Sequence, residues 1–223
     1  RNIVQCLDDF GIPLRLSCTV VKTHGKDRLE GVTIANVDER LQPIPGTEEY
    51  IECDTLLLSV GLIPENELSK DVGVELDRVT SGPVVDEYRE TLKPGIFACG
   101  NVLQVHDLVD YVTEESQIAG KGAADYIFGK KKGGTFINTK GIDGVRYIVP
   151  QRVNIEGTEK LKLYFRVGQV YTGAKVVVEC DGEILSARKK VKLAPGEMEN
   201  VVITAEMLKK MNENSEITVR IEE

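Results

Sequence analysis

The stretch Lys93–Asn101, KPGIFACGN, places a glycine and an amide directly after a short apolar run. Ile96, Phe97 and Ala98 predict a buried strand, with Pro94-Gly95 as the turn that feeds it. Gly100 lets the backbone swing sharply at the strand end, and Asn101 puts a side-chain amide there. Strand ends that face helix N-termini are where α/β proteins hold phosphorylated cofactors. Beside this motif, His106 and Asp107 are candidates for lining a site. An imidazole there could act as an acid or base, while loop solvation is the simpler reading. Cys99 reads as a small packing side chain rather than a reactive thiol.

Other chemistries lack their residues. The five cysteines (Cys6, Cys18, Cys53, Cys99, Cys180) form no C-x-x-C, and His24 and His106 are the only imidazoles. That argues against a disulfide framework and against a metal site, and predicts free, buried thiols in a reducing cytoplasm. No G-x-S-x-G and no phosphate loop ending in Gly-Lys-Ser/Thr occurs. The adjacent pairs Glu48-Glu49 and Glu114-Glu115 are expected to diverge in space as surface charge. The catalytic residues are therefore left unassigned.

Composition narrows the class further. The chain is 41% hydrophobic and 29% charged, as a soluble globular protein is, and its 223 residues can hold one large domain or two ordinary ones. A formal charge of −8 and only 5% aromatic residues disfavour nucleic acid as a partner. The basic run Lys130–Lys132 reads as a solvated linker. No apolar run approaches membrane-spanning length, so no membrane contact is expected. The chain lacks an initiator Met and opens within a helical pattern, which reads as a fragment.

The elements that would position the motif follow from periodicity. Ile3, Val4, Leu7 and Phe10 have helical spacing, ended by Gly11 and Pro13. Leu14, Leu16, Cys18 and Val20 alternate as a half-buried strand, and a turn near Gly25 returns the chain through LEGVTIANVD. Tyr50 to Cys53 should pair with this hairpin. The run Leu56, Leu57, Leu58 should form a parallel strand buried on both faces. A short strand near Pro83 to Asp86 precedes the opening motif. A helix is expected from Val112 to Phe128, with Asp110 as its N-cap and a narrow face of Ser116, Ala119, Gly120 and Ala123. From Gly133 onward, short strands with turn signals, Asp181-Gly182 among them, predict an antiparallel β-sandwich of immunoglobulin-like character. Thr204 should start one helical turn. The expected fold class is thus α/β, a partial Rossmann-like region, followed by that sandwich.

Three segments in order, LLLSVGLIPENEL, GPVVDEYRETLKPGIFACGN and VDYVTEESQIAGKGAADYIFGK, resemble the C-terminal FAD-binding signature of the pyridine nucleotide-disulfide oxidoreductase superfamily. The resemblance covers roughly residues 1 to 129, and Thr91–Asn101 is its most specific part. It implies that Gly61 and Pro64 lie in the interdomain motif near the nicotinamide cofactor. It implies that Gly100 and Asn101 meet the flavin ribityl chain and pyrophosphate, with Asn101 standing where the family usually has Asp. It implies that Val112 and Thr113 start the helix facing the flavin. The implied division is 1–70, the end of an NAD(P)-binding domain; 71–130, part of an FAD-binding domain; 131–139, a linker; and 140–223, the sandwich.

The chain most resembles subunits of bacterial amine, opine or glycerol-3-phosphate dehydrogenase systems. The resemblance implies FAD and NAD(P) as cofactors of a longer protein, with electrons passing between nicotinamide and flavin. It also implies a second flavoprotein subunit or a homo-oligomer as partner. The isolated chain, lacking a G-x-G-x-x-G turn, is expected to hold neither cofactor. The alternative is a binding or assembly module that works through the sandwich, with the α/β part as scaffold.

Overall fold

The computed structural model describes residues 2–130, 133–156 and 160–223. Lys131 and Lys132, the end of the basic run and the start of the expected linker, lie outside the described residues, as do the side chains of Ile3 and Val4. The described chain is mostly β-strand with few helices and divides into two compact units, 1–60 and 61–223.

The first unit holds α1 (Asn2–Asp9) and an antiparallel sheet ordered β1 (Cys18–His24), β2 (Gly31–Asn36) and β3 (Glu49–Glu52). Gly11 ends α1 with a positive φ of 62°, which a glycine adopts at no steric cost. The central strand β2 buries Val32, Ile34 and Ala35. Two expectations fail here. Leu14 and Leu16 precede β1 and are exposed. Leu56 to Leu58 form no strand, and Leu57 is 89% exposed. A strand buried on both faces needs a flanking strand on each side, and this run pairs with none: the sheet of this unit consists of β1, β2 and β3 alone.

The second unit begins with α2 (Glu67–Asp71), then a series of linked turns, then α3 (Val109–Ile127). The expected strands at Pro83–Asp86 and Ile96–Ala98 reduce to single antiparallel bridges, Leu76↔Pro83, Val85↔Thr91 and Glu90↔Phe97. An Asx turn replaces the regular strand: Asp86 Oδ1 accepts from the N–H groups of Tyr88 (2.9 Å) and Glu90 (3.0 Å). This turn carries Arg89 into the left-handed region, φ 66°, which costs a non-glycine residue about 1–2 kcal/mol.

The helix α3 starts three residues earlier than the periodicity predicts, with Leu108 rather than Asp110 as N-cap. Its buried stripe is Glu115, Ala119 and Gly122, not the expected Ser116, Ala119, Gly120 and Ala123. Gly122 is required there, because a Cβ would stand 2.7 Å from the Tyr88 carbonyl oxygen. The 86–90 turn packs directly on the helix.

The remainder is built from β4 (Phe136–Gly141), β5 (Val145–Val149), β6 (Arg152–Asn154), β7 (Lys160–Val167), β8 (Tyr171–Thr172), β9 (Lys175–Cys180), β10 (Glu183–Lys189), β11 (Lys192–Leu193), β12 (Glu199–Thr204), α4 (Ala205–Leu208) and β13 (Glu216–Glu222). A five-stranded sheet, β10-β9-β13-β4-β6, and a three-stranded sheet, β12-β7-β5, enclose one core. Leu163, Phe165, Ile203, Ile217 and Val219 are fully buried within it. The turn Asp181-Gly182 joins β9 to β10 with both residues at positive φ, as the sequence predicts. Thr204 caps α4 by accepting from the Met207 N–H at 3.5 Å.

The expected all-antiparallel pattern has one exception: β13 runs parallel to β4 in the middle of the larger sheet. The module also begins at Phe136, inside the stretch read as linker. It is bolted to the preceding turns. Asn154 N–H donates to Glu87 Oε2 (2.9 Å), Val85 N–H to Gln151 Oε1 (3.1 Å), and Val149 packs with Val85, Ala98 and Leu103.

Candidate functional site

The residues of the opening motif converge on a buried carboxylate, that of Glu115, which has no exposed side-chain area. Its Oε1 accepts from Arg89 Nε (3.1 Å) and Gln104 Nε2 (3.0 Å). Its Oε2 accepts from the Gly100 N–H (2.8 Å) and contacts His106 Nε2 (2.9 Å). A carboxylate only accepts, so Nε2 of His106 carries the proton of that bond. Burial alone would raise the pKa of Glu115. The hydrogen bond from His106, the charge of Arg89 and the Gln104 bond outweigh it and hold the group below the usual carboxylate range.

Its neighbour Glu114 points the other way, to the β-module. Lys162 Nζ lies 2.6 Å and Tyr164 Oη 2.7 Å from its carboxylate. Burial, together with the bond to Glu114, pushes the Tyr164 phenol far up, so it remains a donor. The Arg89 guanidinium also sits 5.9 Å from the centre of the Tyr164 ring. Adjacent helical positions do diverge, as expected. They diverge into two buried or half-buried networks, however, and not into solvent. Glu114-Glu115 is therefore not the solvated surface charge that the sequence predicts.

His106 is a structural member rather than a solvated loop residue, while Asp107 is exposed, as loop solvation implies, yet bonded in place. The His106 side chain is 1% exposed. Asp107 accepts from Arg166 Nη2 (3.0 Å) and from the Met198 N–H (3.2 Å), tying the loop before α3 to the module. Of the thiols only Cys180 is buried; Cys99 is half-buried and Cys6 exposed, against the expectation of buried thiols throughout.

The motif residues fall into two groups. Gly100, with φ 71°, sits against Val112: a Cβ on Gly100 would lie 3.5 Å from Val112 Cγ1. Asn101 is exposed, and its Oδ1 accepts from the His106 N–H (3.1 Å). A substitution at Asn101 that removes this acceptor therefore disturbs the loop of residues 103–108. Val112 and Thr113 lie inside α3, and Thr113 Oγ1 bonds back to the Val109 carbonyl (3.1 Å). The N–H groups left without an intrahelical partner belong to the turn before them, near Val109 and Asp110. That shift follows from the earlier helix start. Gly61, φ 97°, stands in open space, while Pro64 lines a cavity with Gln104.

Sequence reasoning missed Glu115 and Arg89. Glu115, Ala119 and Gly122 share one helical stripe by spacing, so the burial of Glu115 is readable once that stripe is chosen. Arg89 carries no periodic signal; only the Asp86 turn turns it inward.

The exposed Asn101 and the exposed helix start at Leu108 and Val109 offer an amide and unpaired N–H groups to a neighbouring acceptor. They do not fit the phosphates of a dinucleotide, because a G-x-G-x-x-G cradle is absent from the sequence and the Gly100 N–H already serves Glu115. Among the described residues no group of three His, Cys, Asp or Glu could hold a metal ion, and no helix is long and apolar enough to cross a membrane.

Residues 2–121 match the family described as Pyridine nucleotide-disulphide oxidoreductase. The small chain of glutamate synthase [NADPH] from Halomonas elongata is 28% identical over 140 residues, 57% of this chain and 30% of that protein. Thioredoxin reductase of Mycoplasmopsis pulmonis is 33% identical over 113 residues, 49% of this chain and 33% of that protein. Hydrogen cyanide synthase subunit HcnB of Pseudomonas protegens is 28% identical over 104 residues, 45% of this chain and 22% of that protein. The chain thus spans a third or less of each of these relatives.

Proposed function

The chain belongs to the pyridine nucleotide-disulphide oxidoreductase family, and on that premise we propose that it supplies part of the cofactor bed of an FAD- and NAD(P)-dependent oxidoreductase. The observation that carries this reading is the seating of the Gly100-Asn101 turn on the first turns of α3 through Glu115. That geometry fixes an exposed amide, a side-chain-free turn and a helix N-terminus side by side. Positive partial charge at such a terminus stabilises negative charge on a neighbouring group. Bound FAD would accept and release electrons exchanged with a nicotinamide cofactor. Asn101 would stand beside the ribityl chain, and the helix start would face the flavin ring. Gly61 and Pro64 would lie toward the nicotinamide. Two of the relatives are named as a chain or subunit of larger enzymes, which supports a second subunit as partner here.

The β-module belongs to this reading as a brace. We assign residues 136–223 an immunoglobulin-like class on their two facing sheets. The bonds from Lys162, Tyr164 and Arg166 to α3 and to its preceding loop stiffen the flavin edge. A module that acts by itself as a binding domain, with the rest as scaffold, has less support, because residues 61–223 form one compact unit.

The chain alone should retain no cofactor. A few hydrogen bonds worth about 1 kcal/mol each do not offset the cost of immobilising a large flexible ligand. The test is a visible spectrum of the purified 223-residue chain after incubation with excess FAD and desalting, with an NADH-oxidation assay alongside. The expected result is a colourless, inactive protein. Stoichiometric flavin or NADH turnover would mean that the cradle lies elsewhere in the chain.

A further inference from the structure

We propose that a cavity of about 280 Å³ between the family's turns and the β-module binds a small hydroxycarboxylate. One wall is apolar and comes from the segment after Gly61, chiefly Leu62, Ile63 and Pro64. The opposite wall comes from β5 and β7, as Arg146, Tyr147 and Arg166. These last three residues lie beyond residue 121, outside the family match, so the family does not account for them.

The two arginines play different parts. Arg166 is committed: its guanidinium bonds the Val105 and Pro195 carbonyls, Asp107 Oδ1 and Tyr147 Oη. Its charge is matched by Asp107. Arg146 is exposed and makes no hydrogen bond or ion pair among the described residues. A single unmatched guanidinium suits one carboxylate better than a doubly charged phosphate. Tyr147 Oη accepts from Arg166 Nε at 3.1 Å, which leaves its own O–H free to donate. Burial raises its pKa above the usual phenol range, so the phenol keeps that proton. The ring is held by packing on Val85, Ala98, Leu103 and Val149.

The third polar group is Gln104, which lines the same cavity and is fully buried. Its Nε2 donates to Glu115, while its Oε1 has no partner. A buried acceptor without a donor is costly, and a ligand hydroxyl would satisfy it. The ligand therefore needs a carboxylate for Arg146 and Tyr147, a hydroxyl for Gln104 and a short carbon chain for Leu62 and Ile63. At about 30 Å³ per water the cavity holds roughly nine waters, so the ligand is limited to about ten non-hydrogen atoms. The site goes beyond the flavin reading and does not depend on it.

The test uses the cofactor-free, ¹⁵N-labelled 223-residue chain, titrated with sodium L-lactate, sodium propionate and sodium chloride at matched ionic strength. Lactate should give saturable shifts at the amides of Leu62, Ile63, Val105 and Tyr147. Propionate lacks the hydroxyl and should bind several-fold more weakly. Arg146→Ala, a surface change that leaves the fold intact, should weaken lactate about tenfold through loss of a charge-assisted bond. Chloride should give only a linear drift. The proposal is overturned if lactate shifts do not saturate, if propionate binds as tightly as lactate, or if Arg146→Ala binds lactate unchanged.

Discussion

Glu115→Ala is expected to cost residues 61–223 about 3–5 kcal/mol, because it leaves the Arg89 guanidinium buried without its counter-charge. The Gly100 N–H, Gln104 Nε2 and His106 Nε2 lose their acceptor in the same step. Urea denaturation followed by circular dichroism measures the loss. Glu115→Gln, which keeps an acceptor of similar shape, should lose less. The acid limb supplies a second readout. The folded pKa of Glu115 lies below its unfolded value of about 4.3, so its contribution is complete above that pH. It is lost as the pH falls through the depressed folded value. Glu114 is shifted in the same direction: burial would raise its pKa, but the bonds from Lys162 and Tyr164 lower it. Wild-type stability should therefore decline below about pH 4, and the decline should be shallower in Glu115→Ala. A loss under about 1 kcal/mol at neutral pH would show that the network is not what holds the turn to the helix.

Gly82→Ala should be nearly as damaging. A Cβ at this position would lie 1.7 Å from the Leu103 carbonyl oxygen and 2.8 Å from its Cα. Both sides of the contact are backbone, so neither can rotate away. The turn of residues 80–83 would have to separate from the turn of residues 100–104. Asn66 clamps the two by donating to the Ser81 carbonyl (2.9 Å) and the Val102 carbonyl (2.8 Å), and that clamp would open. Overpacking of this kind costs up to about 3 kcal/mol. Thermal melts should show the loss, with amide shifts concentrated at Gly100–Gln104. Gly120→Ala is the control: it sits on α3 with nothing within 4 Å, and should stabilise by up to about 1 kcal/mol. Similar melts for the two variants would contradict the close approach at Gly82.

Turn and cap signals that act within a few residues hold at three places, though not at Asp110, where Leu108 is the N-cap of α3. Asp181-Gly182 makes the hairpin turn, Thr204 caps α4, and Gly11 ends α1. Signals that need a distant partner fare less well. Leu56 to Leu58 have the composition of a doubly buried strand, yet composition cannot provide the strands that would flank them. Ile96 to Ala98 keep the position expected of the motif but pair through one bridge only. For the site, Gly100 and Val112 are brought together, while the centre that holds them, Glu115 with Arg89, is not marked by the motif. A glutamate in sequence is far more often solvated than buried, and only the choice of helix face reverses that expectation. The parallel pairing of β13 with β4 joins strands about 80 residues apart, a separation over which the hydrophobic pattern carries no information on direction.

The central claim, that the Gly100-Asn101 turn and the start of α3 form one edge of a flavin bed, is open to direct measurement. The measurement is an amide titration of the ¹⁵N-labelled chain with FAD, read residue by residue. We expect weak, fast-exchange binding, with shifts confined to Gly100–Val102 and Leu108–Val112 and little change in β9 to β13. Shifts absent from those two segments, or concentrated instead on the β-module, would contradict it.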